Sequence, residues 1–149
     1  MNEEEKRDRQ MVELLNELRV ALPGVQILFA FLLTAPFAQG FQRITDTQKN
    51  LFYAALLATA ASTICLIAPS ATHRLRFHKS DRAFIIESAN KFLIAGLVFM
   101  GIAIVLAVAM VTDFLYDHWI VWVAPGAIAV ALAGIWFIRP LLRRTSSGP

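Results

Sequence analysis

Four long apolar runs constrain this chain more than any other feature of its sequence. Each run contains 19 to 21 residues and no Asp, Glu, Lys, Arg or His. A helix needs about 20 mostly apolar residues to cross a hydrocarbon core about 30 Å thick. Helices around a soluble core instead carry polar residues on their outer face, every third or fourth position. The sequence therefore predicts four membrane-spanning helices, over residues 20–38, 51–69, 92–112 and 119–138.

The composition agrees with a membrane protein. Of the 149 residues, 57% are hydrophobic and 17% are charged, whereas soluble domains average about 45–50% apolar and about 25% charged residues. We expect an all-α fold, a membrane four-helix bundle that forms a single domain over residues 11–140. Residues 1–10 are expected to be a disordered charged N-terminus, and residues 141–149 a flexible C-terminal tail. Cys65 is the single cysteine, which excludes an intrachain disulfide and a cysteine-based metal cluster.

Lys and Arg residues are distributed unequally along the chain. Twelve of the 14 precede the first span, lie between the second and third spans, or follow the fourth. The other two, Arg43 and Lys49, lie between the first two spans. Because basic residues are retained on the cytoplasmic side, both termini are predicted to be cytoplasmic. The net charge of +3 is then explained by topology, and we expect no binding to nucleic acid.

A short cytoplasmic amphipathic helix is predicted before the first span. Apolar residues share one face of residues 11–22, namely Met11, Leu14, Leu15, Leu18 and Leu22. Such a helix lies either on the bilayer surface or against another helix. Pro23 and Gly24 are then expected to bend the chain into the span. The third helix is also predicted to begin before the membrane, near Ser80 and Asp81.

Small residues recur at helical spacing within the spans. The second span has Ala54, Ala58 and Ser62 at four-residue steps, with a parallel series at Ala55, Thr59 and Thr63. The fourth span has Gly126, Val130 and Gly134. In lipid, small residues favour helix contact because they let two backbones approach closely. These stripes predict helix packing, either within one chain or between copies.

A group of charged and amide residues is expected at the cytoplasmic entry to the bundle, and we call it the polar collar. Its members lie at one predicted depth, around the start of the first span and between the second and third spans. They are Glu13, Glu17, Arg19, Gln26, Arg74, Glu87, Asn90 and Lys91. The first interpretation is structural, in which the collar fixes the N-terminal helix to the bundle. A partner-docking surface and a true functional site are the alternatives.

Basic residues that follow the second span are predicted to contact anionic lipid headgroups at the cytoplasmic face. They are His73, Arg74, Arg76 and Lys79. Each Lys or Arg near an anionic membrane surface contributes roughly 1 kcal/mol of attraction. A site for a phosphate ligand is the alternative interpretation.

The residue pattern does not predict catalysis, a cofactor or a metal site. No nucleophile–base pair or set of paired carboxylates is visible at one location, so we expect the protein not to be an enzyme. Asp113, Asp117 and His118 provide too few converging ligands for a metal ion. The polar side chains within the spans are Thr34, Thr59, Ser62, Thr63 and Cys65. Hydroxyls at such depth are expected to bond to helix backbone.

Several segments resemble a known family over roughly residues 11–140. They are LLNELRVALPGVQILFAFLLTAPF, IAPSATHRLRFH, ANKFLIAGLV and the short turn VTD. They resemble an uncharacterised bacterial family of small four-span integral membrane proteins, a domain of unknown function. The resemblance implies a multi-pass protein of the bacterial cell membrane. Members are sometimes labelled sodium:proton antiporters, but such a transporter normally carries an ionisable group near the midplane, and the predicted spans have none.

Two functional hypotheses follow. The first is a structural, accessory or interaction protein that contacts the lipid bilayer and either forms a homo-oligomer or binds another membrane protein. The alternative is a subunit of an ion transporter or channel, antiporter-like, whose pathway forms between protomers.

Overall fold

Four helices form the described part of the chain. The structure is a computed structural model and describes residues 3–75, 82–116 and 119–138. The helices are α1 (Glu3–Thr34), α2 (Asp46–Leu75), α3 (Arg82–Leu115) and α4 (Ile120–Ala133). Two 3₁₀ turns, Ala35–Phe37 and Gln39–Arg43, connect α1 to α2, and a π-helical turn, Gly134–Ile138, continues α4. The predicted all-α fold is confirmed, since these ranges contain no strand.

Three of the helices are long and apolar enough to cross a bilayer, as in a helical membrane protein. Their apolar segments are Val12–Phe37, Asp46–Ala71 and Ser88–Leu115. Each exceeds the about 20 residues that a span needs. The fourth apolar helix, Val121–Trp136, is shorter.

Helix α1 is longer than the sequence suggests. It begins at Glu3, within the segment predicted to be disordered, and it continues through Pro23, where the sequence predicts a bend. Pro23 has no N–H to donate to the carbonyl of Arg19, which weakens the helix locally. However, one face of α1 is buried on both sides of Pro23, at Leu14, Leu18, Val25 and Leu32. Packing along this single face maintains one helix, because tertiary contacts outweigh local propensity.

Helix α2 begins with a reciprocal cap. The hydroxyl of Thr45 accepts a hydrogen bond from the backbone N–H of Gln48 at 3.3 Å. The side-chain carbonyl of Gln48 accepts one from the backbone N–H of Thr45 at 3.1 Å. This capping box satisfies two N–H groups that lack partners within the helix, and Asp46 adds a favourable charge at the positive end of the helix dipole. The cap starts α2 before the predicted span at residue 51.

Two apolar clusters hold α1, α2 and α3 together. One lies at the end where α1 and α3 begin and α2 ends, and it contains Leu14, Leu18, Val25, Leu66, Ala89 and Leu93. We call this end the basic end, because Arg9, Arg19 and Lys91 lie there. The other cluster contains Leu32, Phe52 and Ala55, and the ring of Phe41 packs edge-on against Phe52 with centroids 4.9 Å apart. The amphipathic part of α1 therefore packs against other helices. This is one of the two locations predicted for it, the other being the bilayer surface.

Helices α2 and α3 form the most extensive interface. The small face of α2, which includes Ala55, Thr59 and Ser62, is fully buried. Gly96 of α3 lies against this face. A Cβ atom at Gly96 would be only 2.7 Å from Cγ and Cδ2 of Leu66, so any larger residue would force the buried Leu66 to move. The predicted role of the α2 stripe in helix packing is confirmed.

Helix α4 packs against α3 and, among the described elements, against no other helix of the bundle. Val121 and Pro125 are buried there. The predicted small stripe of α4 does not face α3. Gly126 and Val130 are exposed, and a Cβ atom at Gly126 or Gly134 would meet nothing within 4 Å. Among the described residues, Gly126, Val130 and Gly134 therefore do not mediate contact with another helix.

Substitution of Gly96 tests the α2–α3 approach. We expect Gly96→Ala to destabilise the protein by about 1–3 kcal/mol, because Leu66 must move within a packed interface. The matched change Gly126→Ala adds a methyl group in open space and improves helix propensity, so its effect should be neutral or slightly stabilising. The measurement is the apparent melting temperature in detergent, from the soluble monodisperse fraction after heating. Equal melting temperatures for the two variants would contradict the assignment.

Candidate functional site

The hydroxyl groups within the apolar segments bond to helix backbone. Thr59 donates to the carbonyl of Ala55 at 2.7 Å, and Thr63 donates to that of Thr59 at 2.9 Å. Thr34 donates to the carbonyl of Phe31 at 2.9 Å. These bonds confirm the prediction that such hydroxyls satisfy themselves on their own helices or across helix contacts. Backbone hydrogen bonding therefore accounts for the presence of these threonine hydroxyls in apolar helices.

Ser62 makes the polar contact between the middle parts of α2 and α3. Its side chain is fully buried, and its hydroxyl donates to the carbonyl of Gly96 at 2.7 Å. The donor and acceptor meet because Gly96 lets the two backbones approach. An interhelical hydrogen bond in lipid contributes about 0.6–2 kcal/mol. The close approach and the hydrogen bond thus occur at one position.

A second polar contact joins α2 to α3 at the end opposite the basic end. The side-chain amide of Gln48 donates to Oδ2 of Asp113 at 2.9 Å and to the backbone carbonyl of Asp113 at 3.2 Å. Gln48 is only 6% exposed. The same amide group therefore caps α2 through its oxygen and binds the end of α3 through its nitrogen. This contact fixes the start of one helix to the end of another.

Sequence reasoning missed this contact. From the sequence, Asp113 stands out only beside Asp117 and His118, as one of too few ligands for a metal ion, and no role is predicted for Gln48. The sequence does contain one relevant signal, the spacing of Thr45 and Gln48, which is that of a capping box. Asp117 and His118 lie outside the described residues. Within those residues, no group of three or more His, Cys, Asp or Glu is arranged to hold a metal ion.

The predicted polar collar is only partly described. Glu13 forms an ion pair with Arg9 at 3.2 Å, one turn away on α1. Such an exposed pair contributes little to stability, typically below 1 kcal/mol. The other collar residues whose side chains are described are exposed, namely Glu17, Arg19, Gln26, Asn90 and Lys91. The side chains of Arg74 and Glu87 lie outside the described part, and the collar stays a prediction.

The side chains of the predicted lipid-contact residues also lie outside the described part. His73 and Arg74 belong to the last turn of α2, with side chains that are not among those described. Arg76 and Lys79 fall in the gap between residues 75 and 82. Contact of this group with anionic headgroups therefore stays a prediction.

Gln26 occupies an unusual position on α1. It lies within the apolar segment Val12–Phe37, two helical turns after Arg19, and its side chain is exposed. Its neighbour Val25 is fully buried, so the amide lies beside the packed face and outside it. Arg19, Pro23 and Ala30 are also exposed and lie at helical spacing from Gln26. We call these four residues the outer face of α1, and it is the candidate functional site.

This outer face offers hydrogen-bonding groups to a neighbour in the bilayer. The amide of Gln26 has two donors and one acceptor oxygen. In addition, Pro23 provides no N–H for the carbonyl of Arg19. An amide group exposed to hydrocarbon costs several kcal/mol unless it finds a partner. The arrangement can therefore bind a polar group on another helix.

Comparisons with known proteins identify a family and no closer relative. The model of a family described as a family of unknown function (DUF6328) matches residues 2–140. No curated protein and no solved structure matches the chain.

A double-mutant cycle tests the contact between Gln48 and Asp113. We expect Gln48→Ala to lower stability by about 1–3 kcal/mol, because it removes a charge-assisted hydrogen bond and half of the α2 cap. Asp113→Ala should have a smaller effect, and the double variant should lose less than the sum. The exposed Gln42→Ala is the matched control and should leave the apparent melting temperature in detergent unchanged. Strictly additive effects of the two substitutions would exclude the coupling.

Proposed function

The chain belongs to DUF6328, a family of unknown function, and we propose that it acts as an accessory membrane protein that assembles with a second copy of itself. The match confirms the resemblance to an uncharacterised family. The proposed contact between copies is the outer face of α1. The observation that carries the proposal is the exposed amide of Gln26 within an apolar segment.

A second copy is the partner that the chemistry of Gln26 favours. A primary amide is both donor and acceptor, so two Gln26 side chains related by a two-fold axis can bond to each other reciprocally. A two-fold axis along the membrane normal keeps both copies of α1 in the same orientation. Small Ala30, one turn farther along the same face, allows the two helices to approach.

The proposed assembly requires a defined membrane topology. We infer four spans, with α4 and its π-helical turn forming the fourth, and both termini in the cytoplasm of a bacterial cell. The unequal distribution of Lys and Arg supports this orientation. The π-helical turn continues the helical path of α4 to Ile138, and so supports a fourth crossing.

The ion-transport alternative has less support. A transport pathway between protomers would also use exposed faces of the helices. Among the described residues, Gln26 could line such a pathway. However, no contact of these residues favours ion binding over contact between helices. We therefore place the assembly role first.

Oxidative crosslinking in native membranes tests the α1 contact. In a Cys65→Ser background, Ala30→Cys places a thiol on the outer face of α1, and we expect a disulfide-linked dimer. Adding Gln26→Leu should reduce dimer formation at least fivefold, the equivalent of about 1 kcal/mol or more for the loss of the reciprocal Gln26 hydrogen bonds.

Ile64→Cys is the matched control, because Ile64 is 70% exposed but lies on α2. It should not form the dimer. If Ala30→Cys crosslinks no more than Ile64→Cys, or if Gln26→Leu changes nothing, the proposed interface is wrong. A crosslink to a different protein would also overturn self-assembly.

Thiol labelling of intact cells tests the topology. In the same Cys65→Ser background, a membrane-impermeant maleimide should label Gln42→Cys directly. It should label Arg9→Cys and Ser146→Cys only after permeabilisation, because both termini are proposed to be cytoplasmic. Labelling of Ser146→Cys in intact cells, with Arg9→Cys protected, would mean that the chain crosses the membrane three times.

A further inference from the structure

An apolar groove lies between α3 and α4, away from the outer face of α1. It has a volume of about 310 Å³, at the lower end of the range of about 300–1,000 Å³ that small-molecule pockets occupy. Its walls include Gly101, Ile102 and Val105 of α3, and Ala129, Leu132 and Trp136 of α4 and the π-helical turn. Among the described lining residues, the indole nitrogen of Trp136 is the one side-chain polar atom. The groove therefore suits a hydrocarbon.

The width of the groove depends on Gly101, and its length follows from the α3 residues that line it. A Cβ atom at Gly101 would lie 3.7 Å from Cδ1 of Leu132 and 3.7 Å from Cζ3 of Trp136, so this glycine leaves a gap between the helices. On α3 the groove runs from Leu97 to Leu106, a length of about 14 Å at 1.5 Å per residue. On α3 the groove is centred on the middle of the apolar segment Ser88–Leu115, at the depth where the distal part of an acyl chain lies.

A positive charge lies beyond the basic end of this groove. Lys91 is on the same face of α3 as the groove residues Val98, Ile102 and Val105, since steps of 7, 11 and 14 residues return to one face of a helix. It is about 10 Å from Val98 along the helix axis. Lys91 is exposed and already has a contact within the chain. An ammonium group has three donors, so it can bind a phosphate in addition.

We propose that the groove between α3 and α4 binds one acyl chain of an anionic glycerophospholipid, whose phosphate is held near Lys91. The apolar walls match the acyl chain, and the charge of Lys91, about 9 Å along α3 from the near end of the groove at Leu97, matches the headgroup. A second helix fits less well, because a helix with its side chains is about 10–12 Å wide and the groove holds about 310 Å³. The site is separate from the proposed α1 interface.

Quenching of Trp136 fluorescence tests this site in proteoliposomes. The full chain carries Trp119→Phe and Trp122→Phe, two exposed positions, so that Trp136 is the remaining tryptophan. Phosphatidylglycerol or phosphatidylcholine, each brominated in the middle of its acyl chains, is titrated into unlabelled phosphatidylcholine. We expect brominated phosphatidylglycerol to reach half-maximal quenching at a mole fraction about fivefold lower than brominated phosphatidylcholine. A fivefold difference corresponds to the attraction of one basic residue for an anionic lipid.

Two variants, each with a matched control, separate the contribution of the headgroup from that of the acyl chain. Lys91→Gln should bring the two midpoints together, while Lys49→Gln, at the opposite end of the bundle, should leave the fivefold difference intact. Ala129→Leu fills the groove and should weaken quenching by both lipids. Ala127→Leu makes the same change at an exposed position of α4 and should not.

Equal midpoints for the two lipids in the Trp136 protein would overturn the proposal. So would identical behaviour of Ala129→Leu and Ala127→Leu. If neither lipid quenches Trp136, and if Ala129→Leu converts a dimer to a monomer by light scattering, then a second copy occupies the groove and the lipid assignment is wrong. The α1 interface is tested separately by crosslinking at residue 30, so the two proposals can fail independently.

Discussion

The close approach of α2 and α3 at Gly96 is the contact on which the rest of the bundle depends. In lipid, apolar side chains gain little by leaving the bilayer for each other, so close backbone contact and hydrogen bonds hold the helices together. Gly96 provides both, because it admits Leu66 and accepts a hydrogen bond from Ser62. Leu66 belongs in turn to the cluster that receives Leu14 and Leu18 of α1. The position of α1 therefore depends on the α2–α3 contact.

The described polar side chains of the apolar segments differ in how they are satisfied. Ser62 bonds across the helix interface, and Gln48 joins the two helices at one end of the bundle. Thr59 and Thr63 bond to backbone within α2. Gln26 is exposed instead. Because polar groups are costly in hydrocarbon, this difference makes the outer face of α1 a better candidate for assembly than the apolar surfaces around it.

The sequence predicts the helical fold well, since uncharged runs of this length have few other structures available. It is less informative about helix ends and contacts. Pro23 suggests a bend locally, but burial on both sides of it maintains a single helix. Similar stripes of small residues occur in α2 and α4, and periodicity alone does not show that the first is buried and the second exposed. The bond between Gln48 and Asp113 joins residues 65 positions apart, beyond any local pattern.

The limited contacts of α4 affect how this protein tolerates sequence change. Among the described helices, α4 contacts α3 alone, whereas α1 contacts both α2 and α3. Free-energy effects of substitutions are additive when the sites share no partners, so changes on the outward side of α4 are thermodynamically independent of those in the three-helix core. The outward surface of α4 can therefore change without disturbing the core that positions Gly96.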